Sequence, residues 1–352
     1  MKIISIVGAR PQFIKLAPLS KELRKYHTEI IIHTGQHFDK EMSESFFVEL
    51  GISDPNYNLD INSGLHGEQT GRMLIEIENV VIKEKPDLIV VFGDTNSTLA
   101  GTLVGSKLNI PSVHIEAGLR SFNKTMPEEI NRIVADHTSD YLFAPTLTAM
   151  KNLELENLLS SSFFTGDIMV DSHKSAVERS KDSKIIDEHS LTNGGYYLLT
   201  LHRPYNVDNS KNLADLLKEL GELNKRIIFP IHPRTKNIIE KHNLIIPENI
   251  TLIKPVGYLD FVALQSSCHK ILTDSGGIQK EAYILKKPCI TLRSETEWVE
   301  TVQMGWNLLL NPNTEKNIAR KIESFIPNDH YELIFGQNVS QKMVEIINGI
   351  FN

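Results

Sequence analysis

Short runs of β-branched and other apolar residues recur along the chain, and each is followed by a longer segment whose apolar positions fall three and four apart. In the first half these runs predict strands at Lys2–Val7, Glu29–Thr34, Asp87–Phe92, Ser112–Ile115 and Tyr141–Ala144. Intervening stretches such as "MLIEIENVVIKE" have the period of an amphipathic helix. That alternation is the mark of a parallel sheet with crossover helices. After "FTGDIMVDSH" it restarts, with "YYLLTL", "RIIFPI", "ITLIKP", "KILTDS" and "PCITLR" again separated by helical segments. The expectation is an α/β protein with two doubly wound domains facing a cleft. They span residues 1–168 and 169–336, and a final helix within 337–352, about Asn338–Ile350, packs back on the first domain. The polar stretch Lys181–Gly195 is a loop or helix inside the second half.

Composition agrees and removes several function classes. At 352 residues, 41% apolar and 23% charged, the chain exceeds what one hydrophobic core usually serves. The formal charge of -7 is spread without basic or acidic blocks, which argues against nucleic acid or a membrane surface and for small-molecule partners. Cys268 and Cys289 sit in apolar surroundings without metal-ligand spacing and read as inert core thiols. No apolar run approaches a membrane span or signal peptide, so a cytoplasmic location is expected.

In doubly wound sheets ligands bind beyond the carboxyl ends of the strands. The loops there carry "GARPQFIK" with Arg10 and Lys15, "GDTNST" with Asp94, "EAGLRSF" with Glu116, and "MPEEINR" with Glu128 and Arg132 four apart. The second half adds "LHRP" with His202, "PIHPRT" with His232, and "DSGGIQKEA". In the last string, Gly276 and Gly277 let backbone N–H groups approach an anion at a helix start, where the helix dipole favours phosphate. Glu281 follows Gly277 by four residues, on the same helix face, and can accept hydrogen bonds from both hydroxyls of a ribose. Together they describe a nucleotide-diphosphate site. Neither a dinucleotide fingerprint nor a P-loop is present, so the nucleotide reads as the substrate's own handle. Taken singly, each residue has a plainer role. Asp94 and Glu116 can be caps or solvated loop groups, Glu128 and Arg132 a helix-surface pair, Phe261 a core residue, and His37, His114 and His232 partners of backbone groups. Their shared place at strand ends favours a site. The set His114, Glu116 and His137 lacks zinc-ligand spacing, and no metal is expected.

The strings "GARPQFIK", "TGQHF", "GDTNSTLAG", "HIEAGLRS", "PEEINR", "HR", "DSGGIQKEA" and "TEW", in this order over nearly the whole chain, resemble the non-hydrolysing UDP-N-acetylglucosamine 2-epimerases. The resemblance implies two Rossmann-like domains of the glycosyltransferase-B type, a UDP-sugar substrate, no cofactor, a homodimer, and a role in cell-surface polysaccharide biosynthesis. It implies that Arg10, Lys15, His202, Phe261, Ser275, Gly276, Gly277 and Glu281 contact uridine and diphosphate; Arg132 and His232, from the polar segments after the strands, complete the expected substrate-binding set. Asp94, Glu116 and Glu128 become the acid/base carboxylates beside the sugar, and His202 lies near the phosphates.

The chemistry fits that set. No carbonyl acidifies the C2 proton of an N-acetylhexosamine, so C1–O cleavage must come first or run ahead. That demands cations on the departing diphosphate and carboxylates near C1 and C2. The route is elimination to 2-acetamidoglucal and UDP, then re-addition with a proton on the opposite face of C2, inside a site closed to water. Alternatives from other classes are a glycosyltransferase, which needs an acceptor groove, a hydrolysing epimerase, and a UDP-sugar-binding protein without turnover. Two departures stand out. Trp298 replaces the arginine of a Thr-Glu-Arg-Pro-Glu string, and "QHFDKEM" differs from the Gln-His-Arg pattern tied to an activating UDP-sugar site. Trp298-Val299, "TGRML" and "PIHPRT" look closer to members acting on UDP-2,3-diacetamido-glucuronic acid, with Arg234 as a partner for the sugar carboxylate.

Overall fold

The computed structural model describes residues 1–36, 47, 49–62 and 64–351. They form two compact units, Met1–Lys174 together with the chain from Leu333 onward, and Ser175–Glu332.

The first unit is built on strands β1 (Lys2–Val7), β2 (Thr28–His33), β3 (Tyr57–Asn58), β4 (Leu88–Phe92), β5 (Ser112–Ile115), β6 (Tyr141–Ala144) and β7 (Ser162–Phe164), in the order β3-β2-β1-β4-β5-β6-β7. All pairings are parallel. The inner strands are buried on both faces, which is why they read as unbroken apolar runs: every residue of β4 is fully inaccessible. On one face, Met73, Ile77, Val80 and Val81 of helix His66–Glu84 pack with Ile4, Ile6, Ile30, Ile32, Ile89 and Val91. The last helix, Val339–Phe351, buries Val339, Met343, Val344 and Ile347 within this unit, each worth about 1.5–3 kcal/mol by burial. Ser340 anchors its start through N–H and Oγ to Asp171, at 2.7 and 2.6 Å, and His27 bonds Asn348 near its end at 2.8 Å.

The second unit repeats the plan with β8 (Tyr196–Thr200), β9 (Arg226–Pro230), β10 (Ile250–Ile253), β11 (Lys270–Thr273), β12 (Cys289–Thr291) and β13 (Asn307–Leu309), ordered β10-β9-β8-β11-β12-β13. Leu199, Phe229, Leu272 and Ile290 meet Leu213, Leu216, Leu217 and Leu220 of helix Ser210–Gly221 on one face. Tyr196, Leu198, Ile228 and Ile271 meet Ala263, Leu264 and Ala282 on the other. Both cysteine thiols are buried, and burial pushes each up to about 12.

Three strands escape the hydrophobic pattern: β3, β7 and β13. Each is two or three residues long and lies at a sheet edge, with at most one fully buried residue. Too short and too exposed to make an apolar run, they form because a neighbouring strand offers hydrogen-bonding groups. In each sheet the strand order reverses beside the first strand, between β1 and β4 and between β8 and β11. Crevices at such switch points are the usual ligand sites of doubly wound sheets.

Candidate functional site

In the first unit, buried Gln12 joins the loops after β1 and β4. Its Oε1 accepts from the N–H groups of Gly8 and Ala9 at 2.8 and 3.0 Å, while its Nε2 donates to Phe92 O and Thr98 Oγ1 at 2.9 and 3.1 Å. Residue 8 must be glycine, because a β-carbon there would overlap Thr34 Oγ1 and Ser97 Oγ. This junction orients helix Arg10–Leu23, whose Lys15, nearly fully buried, forms an ion pair with Glu116. Glu116 follows β5 in the left-handed region at φ 74. For a non-glycine residue that conformation costs about 1–2 kcal/mol, and it lets the backbone N–H groups of Glu116 and Ala117 both reach Phe143 O at 3.1 Å.

Asp94 lies just before Thr95, which caps helix Asn96–Leu108 by accepting from Thr98 N at 3.3 Å. Arg132 Nη2 donates to Asp94 Oδ2 at 2.5 Å and Arg132 Nη1 to Glu129 Oε2 at 3.0 Å. Burial opposes the charge on Arg132, but Asp94 and Glu129 outweigh it and raise its pKa. Glu129 is almost wholly buried and also accepts from the N–H groups of Ser121 and Phe122 at 2.9 and 2.8 Å. Burial pushes its carboxyl up, and those bonds with Arg132 bring it below the usual carboxylate range. Behind them, Asp136 receives His114 Nδ1 at 2.6 Å, Arg120 Nη1 at 2.7 Å and Gly118 N at 3.0 Å. Its burial likewise raises the pKa, and His114 and Arg120 reverse the direction.

In the second unit, Asp274 at the end of β11 is fully buried and accepts from His202 N, Arg203 N and Asn206 Nδ2, with Oδ2 distances of 3.1, 3.0 and 3.1 Å. Those bonds draw the loop after β8 toward Ser275, Gly276 and Gly277. His202 Nδ1 faces Asp274 Oδ1 at 3.2 Å. Burial lowers the His202 pKa against the pull of Asp274, and the charges of Arg203, His232 and Arg293 add to the lowering. Helix Gly276–Ile284 begins at the turn, and its Glu281 accepts from Gln265 Nε2 at 2.7 Å. Phe261 is half-buried on helix Tyr258–Ser267 and packs beside the core. His232 is exposed and caps helix Pro233–Lys241, its ring accepting from Arg234 N at 3.2 Å.

Within the first unit, Lys15 and Glu116 come together, as do Asp94 and Arg132. Arg10 begins its helix at the same strand ends. Glu128 is exposed in the first turn of helix Pro127–Thr138, and among the described residues the ion pairs of Arg132 go to Asp94 and Glu129. Within the second unit, His202 and the Ser275–Gly277 turn are joined through Asp274. Arg234 forms an exposed pair with Asp208 at 2.5 Å. Trp298 is buried, its ring 4.1 Å from the Lys280 ammonium. His37 and the remainder of "HFDKEM" up to Glu41 and Met42 lie outside the described residues. Motif reading passed over Gln12, Glu129, Asp136 and Asp274, although all but Asp136 stand inside quoted strings. Their signal is weak because each acts through backbone groups or through another side chain. Among the described residues no group of three or more His, Cys, Asp and Glu side chains is arranged to hold a metal ion, and no helix is long and apolar enough to cross a membrane.

Two doubly wound parallel-sheet units with charged groups and a glycine turn at their switch points define a protein of the glycosyltransferase-B fold. Residues 21–348 match the family model described as UDP-N-acetylglucosamine 2-epimerase, and the chain belongs to that family. It is 54% identical over 358 residues to a UDP-N-acetylglucosamine 2-epimerase homolog of Methanococcus maripaludis, covering 99% of this chain and 100% of the relative. It is 45% identical to the UDP-2,3-diacetamido-2,3-dideoxy-D-glucuronate 2-epimerase of Pseudomonas aeruginosa, with 99% of each chain covered. A crystal structure of Methanocaldococcus jannaschii UDP-GlcNAc 2-epimerase in complex with UDP-GlcNAc and UDP superposes with a TM-score of 0.88 at 45% identity, covering 99% of this chain and 100% of that one.

Proposed function

We propose that this chain is a non-hydrolysing 2-epimerase that interconverts UDP-N-acetylglucosamine and UDP-N-acetylmannosamine. The observation that carries the reading is the pairing of strand-end carboxylates with cations, Asp94 with Arg132 and Glu116 with Lys15, in a chain whose other sheet ends in a glycine turn followed by Glu281. The end-to-end similarity to named epimerases supports it.

In this reading Ser275, Gly276 and Gly277 hold the diphosphate by backbone N–H groups, and Glu281 takes the ribose, with Phe261 beside the base and His232 at the rim. Arg10, Lys15 and His202 meet the charge that grows on UDP as the C1–O bond breaks. With Nδ1–H turned to Asp274, His202 keeps Nε2 as an acceptor, suited to gaining a proton as the anion arrives. Asp94, Glu116 and Glu128 serve C1 and C2: one carboxylate removes the C2 proton as positive charge develops at C1, giving 2-acetamidoglucal and UDP. Return of UDP to C1 with a proton on the other face of C2 completes the inversion. No electron leaves or enters. The working form is a cytoplasmic homodimer, for which Ile75 and Ile82, exposed on helix His66–Glu84, offer an apolar face, and its product feeds surface polysaccharide.

A second reading, UDP-2,3-diacetamido-glucuronate as substrate, is favoured by the Pseudomonas relative. Arg234 lends it little, being engaged with Asp208.

Incubation with UDP-N-acetylglucosamine in deuterated water, followed by NMR, tests the proposal. Deuterium at C2 of an intact UDP-sugar is expected. Free sugar, a requirement for an acceptor, or an unlabelled C2 would sink it. Asp94→Asn and Glu116→Gln should each abolish label uptake while UDP still binds.

A further inference from the structure

The segment after β12 carries an ion pair to the glycine turn. Thr296 Oγ1 donates to Gln279 Oε1 at 2.6 Å, and Trp298 N donates to Thr296 Oγ1 at 3.0 Å, which pins the backbone on both sides of Glu297 to helix Gly276–Ile284. Gln279 is fully buried and is held in turn by Asn307 Nδ2 at 3.0 Å. The Glu297 carboxylate is therefore delivered to the first turn of that helix, where a β-carbon on Gly276 would overlap its Oε1. Its Oε2 accepts from Arg293 Nη1 at 3.0 Å. A carboxylate beside a helix N-terminus is favourable there for the same reason that a phosphate is. Glu297 thus stands against the end of the turn that an incoming anion needs, and Arg293 neutralises it. The Arg293 side chain is 14% exposed, and because β12 runs parallel to β11, Arg293 just after β12 lies at the same end of the sheet as the Ser275–Gly277 turn.

We propose that Arg293 is a further positioning cation of the diphosphate site, stored on Glu297 in the free protein and transferred to the nucleotide when it binds. The proposal rests on reading the turn as a nucleoside-diphosphate site, and it adds a cation in the segment where Trp298 takes an arginine's place. Exchanging one carboxylate for a diphosphate leaves the guanidinium paired throughout, which avoids burying an unpartnered charge.

Calorimetric titration of the full chain with UDP and, separately, with uridine tests it. Arg293→Gln should weaken UDP about tenfold to a hundredfold, the usual worth of a charge-assisted hydrogen bond, and leave uridine unchanged. Arg293→Lys should recover part of that loss. Glu297→Gln should tighten UDP several-fold, because the competing carboxylate is gone. Unaltered UDP binding by Arg293→Gln, equal loss of uridine and UDP, or a Glu297→Gln variant as weak as Arg293→Gln would each overturn the transfer. Failure of the parent chain to bind either ligand would overturn the nucleotide reading itself, and the proposal with it.

Discussion

The two sheets hold polar groups at their switch points by different means. In the first unit side chains are set charge against charge: Lys15 with Glu116, Arg132 with Asp94 and Glu129, and Asp136 with His114 and Arg120. In the second unit the backbone does most of the holding, with Asp274 gathering the N–H groups of His202 and Arg203 beside a glycine turn. Ion pairs aim the carboxylates by fixing their partners, but they tie the arrangement to pH and to the survival of both partners. The backbone cradle hangs on the single carboxylate of Asp274. It is also sensitive to added atoms.

The largest expected effect breaks the first arrangement. Asp136→Ala leaves Arg120 and His114 facing a buried gap, and should cost about 3–5 kcal/mol in urea unfolding. A loss under about 1 kcal/mol would show that the network does not support the unit. Acid should act in the same place. The Asp136 pKa is lowered on folding, so its contribution is complete above the usual carboxylate range and fades as pH falls through the folded value beneath it. Burial lowers His173 to about 4. Because the unfolded chain binds that proton first, stability should fall as pH drops from about 6.5 toward 4, by up to about 3 kcal/mol. Chemical denaturation at pH 7 and pH 4.5 measures this, and His173→Gln should flatten the difference.

The next effect sharpens the contrast in the second unit. Gly276→Ala makes the Glu297 carboxylate swing aside from its place beside Arg293 and should cost about 0.2–1 kcal/mol, whereas Gly277→Ala meets no atom within 4 Å and should leave the melting temperature level or raised. A drop in UDP affinity in the second variant, with its fold intact, would mark the cradle as a ligand surface. Equal melting losses in both would show the turn to be merely tight. A comparably small effect returns to the first unit. Phe122 is 77% exposed and left-handed at φ 58, held by its N–H on Glu129. Phe122→Gly should gain about 0.5–1 kcal/mol, read as a modest rise in melting temperature.

Much of this was legible beforehand because the inner strands are buried on both faces and their helices carry one apolar stripe, so the linear pattern repeats the solid one. Polar loop residues follow at strand ends, which is why Asp94, Glu116, His202 and the Ser275–Gly277 turn stood out. Arg132 shows the limit. On a helix it lies within reach of residues three and four earlier, and spacing alone favours neither Glu128 nor Glu129. The loop Ser121–Phe122 decides the matter by offering N–H groups to Glu129. Asp274 was passed over for a similar reason: its partners lie 68 to 72 residues earlier and are mostly backbone.

By itself the sequence determined the class of fold, the alternation of strand and helix, and the kinds of side chain available at the strand ends, since these depend on local periodicity and residue chemistry. Tertiary structure alone decided which carboxylate meets which cation, the short edge strands β3, β7 and β13, and the placing of Glu297, paired with Arg293, against Gly276. Such outcomes depend on atoms distant along the chain being brought within bonding distance, and charge and hydrogen-bond energies change with each ångström of that approach.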